Sequence, residues 1–301
     1  MQSQPFQCLR TFNDSSSVHA IAMSPDASTL ISGGWDGEDT IKVWNLTNGQ
    51  LQRTLAGHIL MVRALAISPN GKILASGSHD ETIKIWDLDT GEVRHTLETY
   101  HEEANKQIAC LVFSPDGQIL YSGSLGGSTY YWDPNPGKML GSLGQMSLGS
   151  CLLAMSADGR TLAGTYAGNL RVNDLPQHTR RFRIKTAHNS PSLAISRDGE
   201  TLFIGDYHGN IHLWDARQGQ ERSAVGGHSG IVKALAVSPD GRMLASGDKQ
   251  GIIKLWELNS PTELCTLEGY SADITGLIFS PDNQTLVSSS IDTSIKVWGI
   301  R

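Results

Sequence analysis

The feature that most constrains this chain is a repeat. Trp-Asp-like pairs recur as Trp44-Asn45, Trp86-Asp87, Trp132-Asp133, Asn173-Asp174, Trp214-Asp215, Trp256-Glu257 and Trp298-Gly299, at spacings of 42, 46, 41, 41, 42 and 42 residues. A second marker keeps step, from Ser24-Pro25-Asp26 and Ser68-Pro69-Asn70 through Ser156-Ala157-Asp158 to Ser280-Pro281-Asp282. Seven units of about 42 residues therefore fill the chain, and each must bury its apolar faces against its neighbours.

Gly57 to Asp87 is the most regular unit. MVRALAIS is an apolar run, PNGK carries turn chemistry, ILASGS is a second run, and TIKIWDL alternates apolar with polar residues. EVRHTL follows the turn Asp89-Thr90-Gly91 as a fourth, outer strand. Seven such units predict an all-β fold, a seven-bladed β-propeller of four-stranded antiparallel blades in one domain spanning 1–301. FQCLRTFN at 6–13 aligns with the outer-strand segments LQRTLAG (51–57) and ELCTLEG (263–269), while the last unit stops at Trp298-Gly299-Ile300-Arg301. The N-terminal strand is thus expected to complete the last blade and close the ring, with residues 1–5 as a flexible tail.

The GH, SPDG, SGS.D.TIK.W and WD elements resemble the WD40 repeat family across nearly the whole chain, and their regularity is most similar to bacterial members. The resemblance implies a hydrogen-bonded set in each blade: a His before the first strand, a Ser or Thr in the second, an Asp in the following turn and the Trp of the third. In the second unit these are His58, Ser78, Asp80 and Trp86, whose buried polar groups supply one another with partners. Other units keep the set in part. The first has Asp36 and Trp44 but Asn13-Asp14 in place of Gly-His. The third has His101 and Ser124, with Gly126 at the Asp position. The fifth has His188 and Trp214, with His208 there; the sixth has His228, with Gln250; and the seventh has Tyr270, Ser290, Asp292 and Trp298. The fourth, Gly149 to Asp174, has no His, Asp or Trp at these places, and Asn173 replaces the indole.

A His, Ser and Asp together also suggest a hydrolase triad. No G-x-S-x-G elbow accompanies them, and no phosphate loop, G-x-G-x-x-G or H-E-x-x-H occurs. The set is read as structural and no catalytic residue is assigned. Cys8, Cys110, Cys151 and Cys265 lie at wide, unrelated spacings without a CxxC pair, so no metal, disulfide framework or cofactor is expected. A net charge of -6 disfavours nucleic acid as main partner. With no run of 18 apolar residues and no export signal at the N-terminus, a cytoplasmic protein without a transmembrane segment is expected, monomeric by itself.

What remains is recognition, since loops on a rigid scaffold commonly carry binding. In the family resembled, contacts favour the start of the first strand and the residue before the turn Asp. The first series is His19, Arg63, Ala109, Cys151, Pro191, Lys233 and Thr275; the second is Trp35, His79, Leu125, Tyr166, Tyr207, Lys249 and Ile291. Two places before the first series lie Met61, Ile231 and Asp273. Trp35, Met61, Arg63, His79, Tyr166 and Tyr207 are of the types that dominate interface hot spots, and Lys233 and Lys249 add positive charge. The expected function is a non-catalytic scaffold for proteins or peptides, with His19, Pro191 and Ile231 also on its binding face and an acidic ligand favoured. The competing reading of these residues is that they fill the channel mouth or pack on neighbouring loops. The alternatives for the protein are a reader of a short acidic or modified peptide and an enzyme centred on the channel. Two further segments are noted: Arg180-Arg181-Phe182-Arg183-Ile184-Lys185, an acid-binding strand or a charged edge that resists pairing with other chains, and the acidic loop Glu98 to Gln107.

Overall fold

The computed structural model describes residues 6–35, 41–98, 105–145, 151–166, 168–175, 177–186, 190–258 and 262–300. The tail 1–5, most of the 98–107 loop, Asp36, His101 and His188 lie outside them. The described residues form seven four-stranded antiparallel sheets and no helix, so none is long and apolar enough to cross a membrane. Six sheets take consecutive strands, as in blade two with Val62–Ile67, Ile73–Ser78, Thr82–Asp87 and Val93–Glu98. The seventh is closed by Phe6–Asn13, which pairs antiparallel with Ser294–Ile300, Cys8 opposite Trp298 and Asn13 opposite Ser294. Chain ends joined this way leave the ring without an open seam.

The Ser-Pro-Asp marker is a capped turn. In every blade the Ser Oγ donates to the Asp or Asn two residues on, as Ser68 to Asn70 at 2.7 Å and Ser238 to Asp240 at 2.6 Å. The same Oγ accepts the backbone N–H five residues on, that of Ile73 at 3.0 Å and of Met243 at 2.9 Å. These side-chain bonds replace backbone partners at the bend and fix the register of the first two strands.

The core lies between blades. Ile73, Ala75, Ile83 and Ile85 of blade two pack with Ile108, Phe113, Leu120 and Trp132 of blade three. Phe12, Val287, Ile295 and Val297 join Val18, Leu30 and Trp44 across the closure. Close approach requires glycine near the end of the second strand: a Cβ on Gly77 would stand 2.3 Å from Ile108, and one on Gly247 2.4 Å from Ile274.

Blade four departs from its neighbours. Gly164 and Asn173 stand where blade two has Ser76 and Trp86, and Arg171 turns inward, its Nε donating to Asn173 Oδ1 at 2.8 Å and its guanidinium to the Leu143 carbonyl. Asn173 Nδ2 and Thr165 Oγ1 are buried without a partner. One compensation is visible at the turn before the outer strand. There other blades place a glycine at positive φ, Gly91 and Gly219 among them, whereas blade four has His178 at φ 55. That imidazole stacks on Tyr131 of blade three with ring centroids 4.1 Å apart and bonds Tyr121 Oη at 3.0 Å. His tolerates this conformation better than most residues. The stack offsets only part of an absent Trp, whose removal from a core costs about 3–5 kcal/mol. Hydrogen exchange is therefore expected to open Thr161–Tyr166 and Asn169–Asp174 before Ile73–Ser78 and Thr82–Asp87; equal or slower exchange in blade four contradicts this.

Candidate functional site

Polar side chains concentrate at two places, the interior of the blades and one face of the ring. Inside blade two, Trp86 Nε1–H donates to Ser76 Oγ at 2.7 Å, and Ser76 Oγ lies 2.7 Å from His58 Nε2. His58 Nδ1 lies 2.7 Å from Asp80 Oδ2, and Asp80 Oδ1 accepts from the Thr82 hydroxyl and N–H. With the imidazole hydrogen on Nδ1, every member is satisfied: Nδ1–H donates to Asp80, and Nε2 accepts from Ser76. The hydroxyl of the set is thus Ser76, and the assignment of Ser78 is corrected. Ser78 instead donates to the Leu60 carbonyl at 3.0 Å and accepts the Asp80 N–H. The two serines lie two residues apart on the same face of their strand, so alternation does not separate them.

The same node recurs with different partners. Trp44, Trp132, Trp256 and Trp298 donate to Ser32, Ser122, Ser246 and Ser288 at 2.7–2.8 Å. In blade one the His place is taken by Asp14, which accepts from Ser32 at 2.7 Å and pairs with the buried Lys42. In blade seven Tyr270 Oη meets Ser288 Oγ at 2.6 Å. Blade six has its carboxylate two residues earlier than the turn position: Asp248 Oδ2 lies 3.0 Å from His228 Nδ1. Blade five likewise uses Asp206, with His212 between it and Glu221 at 3.1 and 2.6 Å. Ser76 has no exposed surface and its hydroxyl is fully engaged, so the Ser-His-Asp set is closed to a substrate.

These contacts shift the acids. Burial opposes ionisation of Asp80, but bonds from His58 and Thr82 outweigh it and hold the carboxyl well below its usual range. Asp206, against the same burial, is held at about 2 by Asn210 and His212. Burial opposes the charge of His212, yet Glu221 and Asp206 raise its pKa above 6.5.

One face of the ring carries the candidate contact residues. The backbone N–H groups of His79, Leu125 and Lys249 donate to the carbonyls of Met61, Gln107 and Ile231, tying the turn after each second strand to the loop before the first. Both expected series therefore border the same face. The inner series also has a structural signature. Pairing shifts register at His19, Arg63, Ala109, Lys233 and Thr275, a bulge that leaves each of these residues unpaired on the channel side of its strand. In blade four Cys151 pairs with Tyr166 without the shift, and the blade-five pairing begins only at Ser192, after Pro191.

The residues differ in what they offer. Trp35 is 61% exposed and Tyr207 52%; Lys249 is exposed. Met61 is only 8% exposed, which corrects its expected place on the contact surface, because the loop turns it inward where its carbonyl receives His79. The same loop exposes Ile59 (82%) and Leu60 instead. Both were legible as an apolar run Ile59-Leu60-Met61 in a loop, a signal that counting from the Ser marker misses. His19, Arg63, His79, Pro191 and Ile231 are half-buried. Lys233 pairs with Asp273 at 3.6 Å, and the side chain of Tyr166 lies outside the described residues. In the basic strand, Arg181 is spent on Asp174 and the Ala216 carbonyl at 2.9 Å, while Arg180 and Arg183 stay exposed. Among the described residues no three His, Cys, Asp or Glu are grouped to hold a metal ion.

Two predictions follow from the polar nodes. Ser76→Ala leaves Trp86 Nε1 and His58 Nε2 unpartnered in the interior and is expected to cost about 2–4 kcal/mol, against about 1 kcal/mol for Ser78→Ala, whose partners reach solvent more easily. Urea unfolding of both variants checks the order. The lowered pKa values of Asp80 and Asp206 make their stabilisation complete above the ordinary carboxylate range, and it is lost progressively as pH falls below about 4 toward the folded values, that of Asp206 being about 2. For His212 the raised pKa gives the opposite sign: its contribution is complete below about 6.5 and is lost as pH rises through the folded value. Urea midpoints against pH should fall on both sides, and His212→Gln should flatten the alkaline limb and, by removing a partner of Asp206, weaken the acid limb as well.

Comparison with known proteins agrees with this architecture. A family model described as "WD domain, G-beta repeat" matches residues 6–45, 49–87, 91–133, 180–215, 219–257 and 261–299. The unmatched 134–179 contains the three inner strands of blade four, where the Trp and Ser of the node are replaced. A similar curated protein is "Small ribosomal subunit protein RACK1y" of Oryza sativa subsp. japonica, 46% identical over 65 residues, which is 21% of this chain. The chain covers only 19% of that relative's length. With six matched repeats in a closed ring of seven blades, the chain belongs to the WD40 repeat family.

Proposed function

We propose that the protein is a non-catalytic scaffold of the cytoplasm, monomeric by itself, which holds another protein or a peptide on the face bearing the loops before the first strands and the turns after the second. WD40 propellers bind other proteins, and what supports that role for this face is its exposed apolar side chains. Trp35 and Ile59 stand 61% and 82% exposed on the tight loops of a rigid ring. Large exposed apolar residues on such a scaffold mark an interaction surface, and aromatic anchors dominate binding energy. Tyr207 extends the surface to blade five, and Lys249 adds an exposed cation. The internal Ser-His-Asp sets hold blades and contribute nothing to contact.

Because Trp35 and Tyr207 are exposed, Trp35→Ala and Tyr207→Ala are expected to leave the urea midpoint within about 0.5 kcal/mol of the parent. Each should weaken a partner captured from native lysate by about 2 kcal/mol, near thirtyfold, as loss of an aromatic anchor does. Unchanged recovery of the same partners by folded double variants contradicts this assignment of the face.

A further inference from the structure

We infer that the channel mouth beneath blades one and two is an oxyanion site, built by His19, Arg63 and His79 to receive one carboxylate or phosphate group carried by the bound polypeptide. The inference deepens the scaffold reading above and rests on it for the source of the anion.

The placement begins with two bulges. His19 and Arg63 are the extra residues at the register shifts of neighbouring inner strands, Val18–Met23 and Val62–Ile67. Both line one cavity of about 200 Å³, together with Ala109, Cys110 and Thr275; His79 is not part of that lining and acts on it through its charge coupling to His19 and Arg63. Among the described residues no carboxylate lines this space. His79 follows the second strand of blade two, its N–H anchored on the Met61 carbonyl, and its Nε2 is fully enclosed without a hydrogen-bond partner.

Arg63 lacks the carboxylate partner that several other cations have. Lys42, Arg94, Arg181, Arg222, Lys233 and Lys254 each lie against a carboxylate. Arg63 has neither a hydrogen bond nor an ion pair among the described residues, although it is half-buried. Burial pushes the guanidinium's pKa down, and burial and the Arg63 charge push down the imidazoles of His19 and His79. Three groups that carry or can take positive charge thus lie close enough to shift one another, with only the Cys110 thiol among the described residues drawing on the Arg63 charge, in a chain whose net charge is -6. A desolvated, unpaired cation costs folding free energy. An oxyanion held by the planar fork of Arg63 would remove that cost, and a proton on the enclosed His79 Nε2 would give it a further donor.

Inorganic phosphate and, separately, acetate titrated into the intact protein at constant ionic strength and about pH 6.5 test the inference, with the imidazole resonances of His19 and His79 followed by NMR. His19→Gln and His79→Gln supply the assignments. The site predicts saturable shifts of both imidazoles below about 50 mM, since a single-group ligand binds in the millimolar range. It predicts at least tenfold weaker binding in Arg63→Met and an intermediate loss in Arg63→Lys, which retains the charge should the methionine variant fold poorly. Saturation by both anions identifies a carboxylate-accepting site; saturation by phosphate alone identifies a site for a phosphorylated residue. Absence of saturation by either anion, or equal affinity in Arg63→Met and Arg63→Lys to the parent, overturns it. If Trp35→Ala abolishes partner capture while neither anion binds, the scaffold reading stands and the oxyanion site falls. If anions bind while both Trp35→Ala and Arg63→Lys leave capture intact, a polypeptide as the anion's source is refuted.

Discussion

The blades depend on one buried hydroxyl. In five of the seven, a serine in the second strand, exposed by no more than 1%, accepts the indole N–H of the third strand. That bond lets a Trp be buried with its polar atom satisfied, and the apolar bulk of the Trp then packs between blades, as Trp86 and Trp132 do. The hydroxyl's second contact is free to vary, and it does: His58, His228, Tyr270 and Asp14 fill it in different blades. Each choice brings its own compensation, Asp80 for His58 and Lys42 for Asp14. A buried polar set is stable only when every member is satisfied, which explains why substitutions occur as coupled changes. Blade four shows the result of losing both ends together, with Gly164 and Asn173 leaving an amide nitrogen unpartnered.

Much of this was legible in the chain. The period of about 42 residues, the alternation within each unit and the alignment of 6–13 with outer-strand segments predicted seven blades and their closure by Phe6–Asn13, as observed. What the sequence did not resolve were shifts of two residues. Ser76 and Ser78 point to the same side of a strand, and so do the alternative acid positions that put Asp248 and Asp206 to use where a turn Asp was sought. A period of two is blind to such a displacement; only the distance to the indole or imidazole decides it. His178 was missed for a different reason: its stack on Tyr131 joins positions 47 residues apart, and no local pattern encodes it.

The candidate face was legible in outline. Counting from the turn marker found the two rings of positions, and the bulges at His19, Arg63 and Lys233 give the inner ring a physical basis. Exposure within those rings was not legible. Met61 turns inward while Ile59 and Leu60 turn out, because the loop's carbonyl at Met61 is committed to the His79 N–H. Charge was not legible either: Lys233 lies 3.6 Å from Asp273, while the half-buried Arg63 has no hydrogen bond or ion pair among the described residues. In blade two His58, Ser76, Asp80 and Trp86 hold the blade, and Ile59, Leu60, Arg63 and His79 border the candidate face.

Site-directed photo-crosslinking measures that division most directly. A benzoylphenylalanine placed at Trp35 or Ile59 reports on the candidate face, and one placed at Asn70 or Asp158 reports on the capped turns at the opposite ends of the strands. The account predicts that irradiation in lysate yields the same discrete adduct from Trp35 and Ile59 and none from Asn70 or Asp158. Adducts from Asn70 or Asp158 alone would contradict it.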